Sequence, residues 1–166
     1  MKRLEIWCWN KKIHKDSVWL DCVKLPSVDI VHDLDDFPYP FEDETFDEIY
    51  AHMVLEHVND FMKTMKELYR ILKKWWIIDI QVPYYLSTGA FSDPTHKTFF
   101  TEETFNFFMN QHDLNYYTNV RFTILKKELY TSSSLFGKIR NRLPFKNILK
   151  YFIRNYYSEI HIVLQK

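Results

Sequence analysis

Glycine occurs only twice in this 166-residue chain, at Gly89 and Gly137, where ordinary usage of ~7% would give about 12. Glycine reaches positive φ and lets backbone approach a neighbour or a ligand closely, so a domain of sheets, helices and tight turns is hard to build without it. Tryptophan departs in the opposite direction, with five residues at positions 7, 9, 19, 75 and 76. Where those five rings fall constrains the chain more than any single motif does.

The length predicts one domain over residues 1–166, too short for two well-buried cores. Lysine plus arginine (22) balance aspartate plus glutamate (22), which argues against a general nucleic-acid binder. A composition of 46% hydrophobic and 27% charged residues can build a core and excludes wholesale disorder. No apolar run approaches the ~18 residues of a membrane-spanning helix. The charged start, Met1-Lys2-Arg3-Leu4-Glu5, lacks the apolar stretch of a signal peptide, so the expected compartment is the cytoplasm. Two cysteines, Cys8 and Cys22, cannot make a disulfide framework.

Short strands are expected at residues 3–8, 18–21, 28–32 and 46–51, with polar or acidic loops between them. Phe61, Met65, Leu68 and Leu72 then recur as the stripe of an amphipathic helix. Asn59 or Asp60 can cap its start, and Lys73 and Lys74 suit its C-terminal end. A fifth strand follows at 76–82, an irregular loop at 84–100, and a helix opened by Thr101-Glu102-Glu103 and running to about His112. Strand candidates at 117–129 and 158–164 close the chain. This order favours an α/β fold with a mostly parallel sheet covered by helices and an antiparallel pairing at its C-terminal end. Charge is uneven: residues 28–60 hold eleven acids and no lysine or arginine, while residues 129–158 hold six bases and no acid.

The segment Leu4-Glu5-Ile6-Trp7-Cys8-Trp9-Asn10 resembles the first motif of class I S-adenosylmethionine-dependent methyltransferases, where a strand runs into an acid-x-Gly-x-Gly turn. Trp19 stands where that family often has a glycine before the acid that ends the second strand, here Asp21. Leu72-Lys73-Lys74-Trp75-Trp76 resembles the family's Leu-Lys-Pro-Gly-Gly, with Lys74 in the proline position. All five tryptophans therefore occupy family glycine positions. The physics agrees, since a nucleotide-binding turn needs glycine for close approach and a helix C′ position at φ > 0 costs a bulky residue about 1–2 kcal/mol. The pattern is explained if these codons are UGA read as glycine in the cell and written here as tryptophan. The resemblance continues through residues 28–34 and 37–41, the Phe46-Asp47-Glu48-Ile49 strand, the turn Val54-Leu55-Glu56-His57-Val58, and Asp93-Pro94-Thr95-His96-Lys97 with Phe99-Phe100-Thr101. It implies a Rossmann-like class I methyltransferase sheet with helices on both faces. The link at residues 10–17 is too short for the family's usual first helix.

The resemblance also implies roles. Glu5 and the turn at Trp7, Cys8 and Trp9 would face the methionine end of the cofactor S-adenosylmethionine. Asp21 would accept hydrogen bonds from its ribose, Asp33 and Leu34 would border its adenine, and His52 would sit beside the methionine moiety. Methyl transfer is an in-line displacement in which alignment does most of the work, and a base helps when the acceptor must lose a proton. Asp93 and His96 are the catalytic candidates, with His57 as another. His52, His57, Asp93 and His96 are ligand types, but their spacing matches no standard zinc pattern, so no metal site is expected. Lys138, Arg140, Arg142, Lys146, Lys150 and Arg154 alternate with apolar residues, and from Phe145 on they fit a basic amphipathic helix packed on the sheet. Residues 138–154 are otherwise open to a membrane surface, an anionic acceptor or a partner. The methyl acceptor is not legible. If the tryptophans are genuine, the alternative is a non-catalytic domain of the same fold acting in binding, with its cofactor site blocked.

Overall fold

The computed structural model describes residues 1–7, 12–131 and 144–166. Seven strands form one sheet in the order β3-β2-β1-β4-β5-β7-β6. They are β1 (Arg3–Trp7), β2 (Val18–Asp21), β3 (Ile30–Val31), β4 (Phe46–His52), β5 (Leu72–Pro83), β6 (Thr123–Tyr130) and β7 (Glu159–Gln165). The first five pair in parallel, and β7 runs antiparallel between β5 and β6. The mostly parallel α/β sheet read from the strand order is therefore present.

Packing explains the pattern. Leu4 and Ile6 of β1, Ile49 and Ala51 of β4, and Ile78, Ile80 and Val82 of β5 are buried, as central parallel strands require. Strand β7 alternates cleanly, burying Ile160, Ile162 and Leu164, while β6 is largely exposed and carries Lys126 and Lys127, charges suited to an edge. Helix α1 (Phe61–Ile71) buries Met65, Leu68 and Ile71, and Asp60 caps it by accepting the Lys63 N–H at 2.9 Å. Strand β3 is only two residues long. Next to it the Asp29 carboxylate, not a backbone carbonyl, takes the Trp19 N–H at 2.8 Å.

Two expectations change. The helix expected over 101–112 is only a 3-10 turn, Thr104–Phe108. Thr104 Oγ1 accepts the Thr101 N–H, and Phe105 and Phe108 are pulled into the core three residues apart, a spacing that suits the tighter turn. Helix α1 ends at Ile71 on an extended cap, Leu72, and not on a left-handed residue at 75–76. The left-handed residue is Trp75, φ 72°, inside β5, where the pairing with β4 shifts register between Phe46↔Leu72 and Glu48↔Ile77. As the short link implies, residues 12–17 contain no helix; the Glu5 carboxylate accepts the N–H groups of Ile13 at 2.8 Å and His14 at 2.7 Å.

Short helices follow β5: α2 (Gly89–Ser92) and α3 (Lys146–Phe152). The basic amphipathic helix expected from Phe145 is thus a seven-residue segment. Its Lys150 is drawn inward to Glu102, and Ile148, Tyr151 and Phe152 are exposed. Lys138, Arg140 and Arg142 lie outside the described residues.

Candidate active site

In an open α/β sheet, ligands bind outside the carboxyl ends of the strands where the chain order reverses. Here that point lies between β1 and β4, from which the chain winds outward in both directions. A cavity of about 500 Å³ opens there, with apolar walls from Ile6, Leu20, Leu34, Val54 and Val58 and two carboxylates, Asp21 and Asp33. That size suits a nucleoside-sized ligand.

The two acids are held alike. Asp21 ends β2 and its Oδ1 accepts the Val23 N–H at 2.9 Å; Asp33 follows β3 and its Oδ1 accepts the Asp35 N–H at 2.9 Å. Each local turn fixes one oxygen, and the Cys22 thiol makes a further side-chain hydrogen bond to Asp21. The Leu34 carbonyl is fixed by the Tyr39 hydroxyl at 3.0 Å. Asp35, by contrast, is spent on structure: its two oxygens accept the backbone and side-chain N–H groups of Asn59 at 2.7 and 2.6 Å. Cys22 also lines this cavity, and burial, together with the Asp21 and Asp33 charges, pushes its thiol up.

A second cavity of about 710 Å³ adjoins the first and is the more polar in its side chains, with Glu56, His57, Asp93, His96 and Glu159 on its walls beside Met53 and Pro83. His57 belongs to both walls. The 3-10 turn Leu55–His57 follows β4 after Met53, whose φ of 50° is itself strained. The Glu56 carbonyl accepts the N–H groups of Lys97 at 2.7 Å and Thr98 at 3.1 Å, which pins the 93–98 loop against this turn. The rings of His57 and His96 consequently stand 4.8 Å apart, nearly edge to face.

Electrostatics at this site is set by burial. Glu56 is only 2% exposed, and its Oε2 has no hydrogen-bond partner. Burial pushes its carboxyl up to about 7, with the Asp93 charge adding to the rise. Burial and the neighbouring His96 pull the His57 imidazole down. The Thr95 hydroxyl and N–H hold the Asp93 carboxyl below its usual range.

The residues singled out from the sequence separate into groups. Asp21, Asp33 and Leu34 meet in the first cavity, and Asp93 and His96 meet in the second. Glu5 is buried under the 12–17 loop and His52 is turned to Asp79, 2.8 Å from its Oδ1; neither lines a cavity. The backbone of Trp7 ends β1 opposite His52, while its side chain and the whole of Cys8 and Trp9 lie outside the described residues. Glu56 had no role in the sequence reading, although an acid between Leu55 and Val58 in an otherwise apolar turn was the available signal.

The family model described as "Methyltransferase domain" matches residues 9–75. Among solved structures, a SAM dependent methyltransferase from Archaeoglobus fulgidus is similar at 17% identity and a TM-score of 0.68, over 99% of this chain and 86% of that one. An S-adenosylmethionine dependent methyltransferase from Mesorhizobium loti is similar at 13% identity and a TM-score of 0.62, over 99% and 90%. The [4+2]-cyclase SpnF shares the fold as well, at 12% identity and a TM-score of 0.61, over 99% and 75%. No curated protein sequence matches the chain. Strand order and these structural likenesses give the chain the Rossmann-like fold of class I methyltransferases, and the methyltransferase-domain match covers residues 9–75 of it.

Proposed function

We propose that this protein binds S-adenosylmethionine in the apolar cavity and methylates an acceptor held in the polar cavity beside it. The observation that carries the reading is the pair of carboxylates, Asp21 and Asp33, at the tips of adjacent strands in one apolar cavity that shares His57 with a polar one. The residues present fit the cofactor: two carboxylates on the cavity wall suit ribose hydroxyls and an adenine amino group, and the aliphatic walls suit the base. S-adenosylmethionine supplies, when bound, an electrophilic methyl group on a sulfonium.

The chain's own residues do the rest. Asp21 accepts from the ribose, Asp33 and Leu34 border the adenine, and Ile6, Leu20, Val54 and Val58 exclude water. On the acceptor side, His96 is oriented by its Nδ1–H on the Ala90 carbonyl at 2.9 Å, and Asp93 is held by Thr95. These two are the groups assigned to the acceptor. The cytoplasm is the compartment that fits this reading, and no helix among the described residues is long and apolar enough to cross a membrane.

Whether positions 7, 9, 19, 75 and 76 are glycine in the cell decides between catalysis and the alternative of a binding domain with a blocked cofactor site. Calorimetry with S-adenosylhomocysteine on the all-glycine and all-tryptophan proteins tests both. Micromolar binding is expected for the first and none for the second; equal behaviour would refute the recoding. Asp21→Ala in the binding form should lose affinity by about 10- to 100-fold, the value of a hydrogen bond to a charged group. Unchanged affinity would remove the ribose assignment.

A further inference from the structure

The polar cavity contains a set of donors that methyl transfer from S-adenosylmethionine does not require. Glu56, His57 and His96 each offer one ligating atom, and these atoms all lie within 4.8 Å of one another. Two imidazoles and a carboxylate are a donor set typical of zinc and other divalent first-row ions.

The surroundings fix which ring nitrogens are free. His96 Nδ1 lies 2.9 Å from the Ala90 carbonyl, which can only accept, so Nδ1 carries the proton and Nε2 keeps its lone pair. Thr95 donates its hydroxyl proton to Asp93 Oδ1 at 2.6 Å and therefore accepts at Oγ1 from His57 Nδ1, 2.9 Å away. His57 Nε2 is thus also left as a lone pair. Metal-binding histidines are generally held in this way, by an oxygen acceptor on the far nitrogen that sets tautomer and ring orientation. Glu56 supplies the independent sign of a missing partner: it is only 2% exposed, yet its Oε2 finds no hydrogen bond among the described residues. A buried carboxylate oxygen without a partner is costly, and a cation satisfies it.

We propose that Glu56, His57 and His96 bind one zinc-class divalent ion, with the remaining coordination positions open to the polar cavity. Three protein ligands and an open position are the arrangement of a reactive site and not of a closed structural one. Zinc–nitrogen bonds of about 2.0–2.1 Å in a tetrahedron place ligand atoms about 3.3 Å apart, so atoms that lie within 4.8 Å of one another need only a small closure to share an ion. Such an ion would hold an oxygen, nitrogen or sulfur atom of the acceptor directly, in place of His96 acting on it alone. The site stands on its own geometry and does not depend on the methyltransferase reading.

The test is calorimetric titration of chelator-stripped protein with zinc chloride, alongside cobalt(II) absorption as a readout of coordination. One ion per chain is expected, with visible cobalt bands and a higher Tm in the presence of zinc. His96→Gln and Glu56→Gln should each weaken zinc binding by at least roughly tenfold, while His112→Gln, outside the cluster, leaves it unchanged. Circular dichroism identifies a variant that has failed to fold, and His96→Gln, at a half-buried ring, is the safer of the two. Absence of stoichiometric binding, or binding that survives in a folded His96→Gln protein, overturns the proposal. S-adenosylhomocysteine binding measured on the same samples separates the two readings, because His96 does not line the cofactor cavity.

Discussion

Trp75 holds φ at 72° while its ring is 70% exposed, a backbone region that costs a side-chain-bearing residue about 1–2 kcal/mol with little burial in return. The strain is locked in by the chain around it: its N–H donates to the Lys166 carbonyl at 2.9 Å, and Gln165 donates to its carbonyl at 3.0 Å. Trp75→Gly should therefore stabilise the protein by about 1 kcal/mol, a rise in Tm of about 2–4 °C, whereas Trp76→Gly, with no positive φ to relieve, should give none. Thermal unfolding of the two variants checks the contrast. Trp19 is a different case, only 1% exposed, with an indole N–H that finds no acceptor. A glycine there requires its neighbours to close in. The shortage of glycine was plain from composition, but the reason at 75 was not. The sequence suggested a helix cap, and the strained residue is instead part of a strand that begins immediately after the helix.

Among the elements, α1 was the most legible because stripe and cap agree. Met65 and Leu68 face the core and Asp60 caps the first turn as its position suggested. Asp60→Ala should cost about 1 kcal/mol, seen as a lower urea midpoint at unchanged slope; no shift would mean that water replaces the cap. The segment at 101–112 reads as a helix from its Thr101-Glu102-Glu103 start, but Phe105 and Phe108 are buried three residues apart, a spacing that suits the tighter turn. Strand ends carry both cavity acids: Asp21 is legible as the acid closing a short apolar run, while Asp33 lies in a more acidic stretch and is picked out by the resemblance. The cluster around Glu56 was not visible, since it forms only when backbone N–H groups of Lys97 and Thr98 reach the Glu56 carbonyl across a long stretch of chain.

Across the whole sheet, Asp79 of β5 joins its two neighbours: Oδ1 lies 2.8 Å from His52 Nε2 on β4 and 2.8 Å from His161 Nε2 on β7. Burial opposes its ionisation, but the His161 and His52 imidazoles outweigh it and hold the carboxyl far below the usual range. A carboxyl lowered in the folded state adds stability that is complete above pH ~4 and fades as pH falls through the lowered value. Asp79→Asn should thus cost about 1.5–3 kcal/mol at pH 7, with the difference from the parent narrowing below pH ~4 in denaturant titrations. A gap independent of pH would assign the loss to packing. The resemblance puts His52 beside the cofactor, whereas its ring is bonded to Asp79 on the next strand of the chain. One side chain, however, does face both chambers: His57. A shared partition cannot be shifted from one side only. Whatever factor an occupant of either chamber imposes on affinity in the other must be returned in equal measure, so the occupants proposed for the two chambers would sense one another reciprocally across this one imidazole.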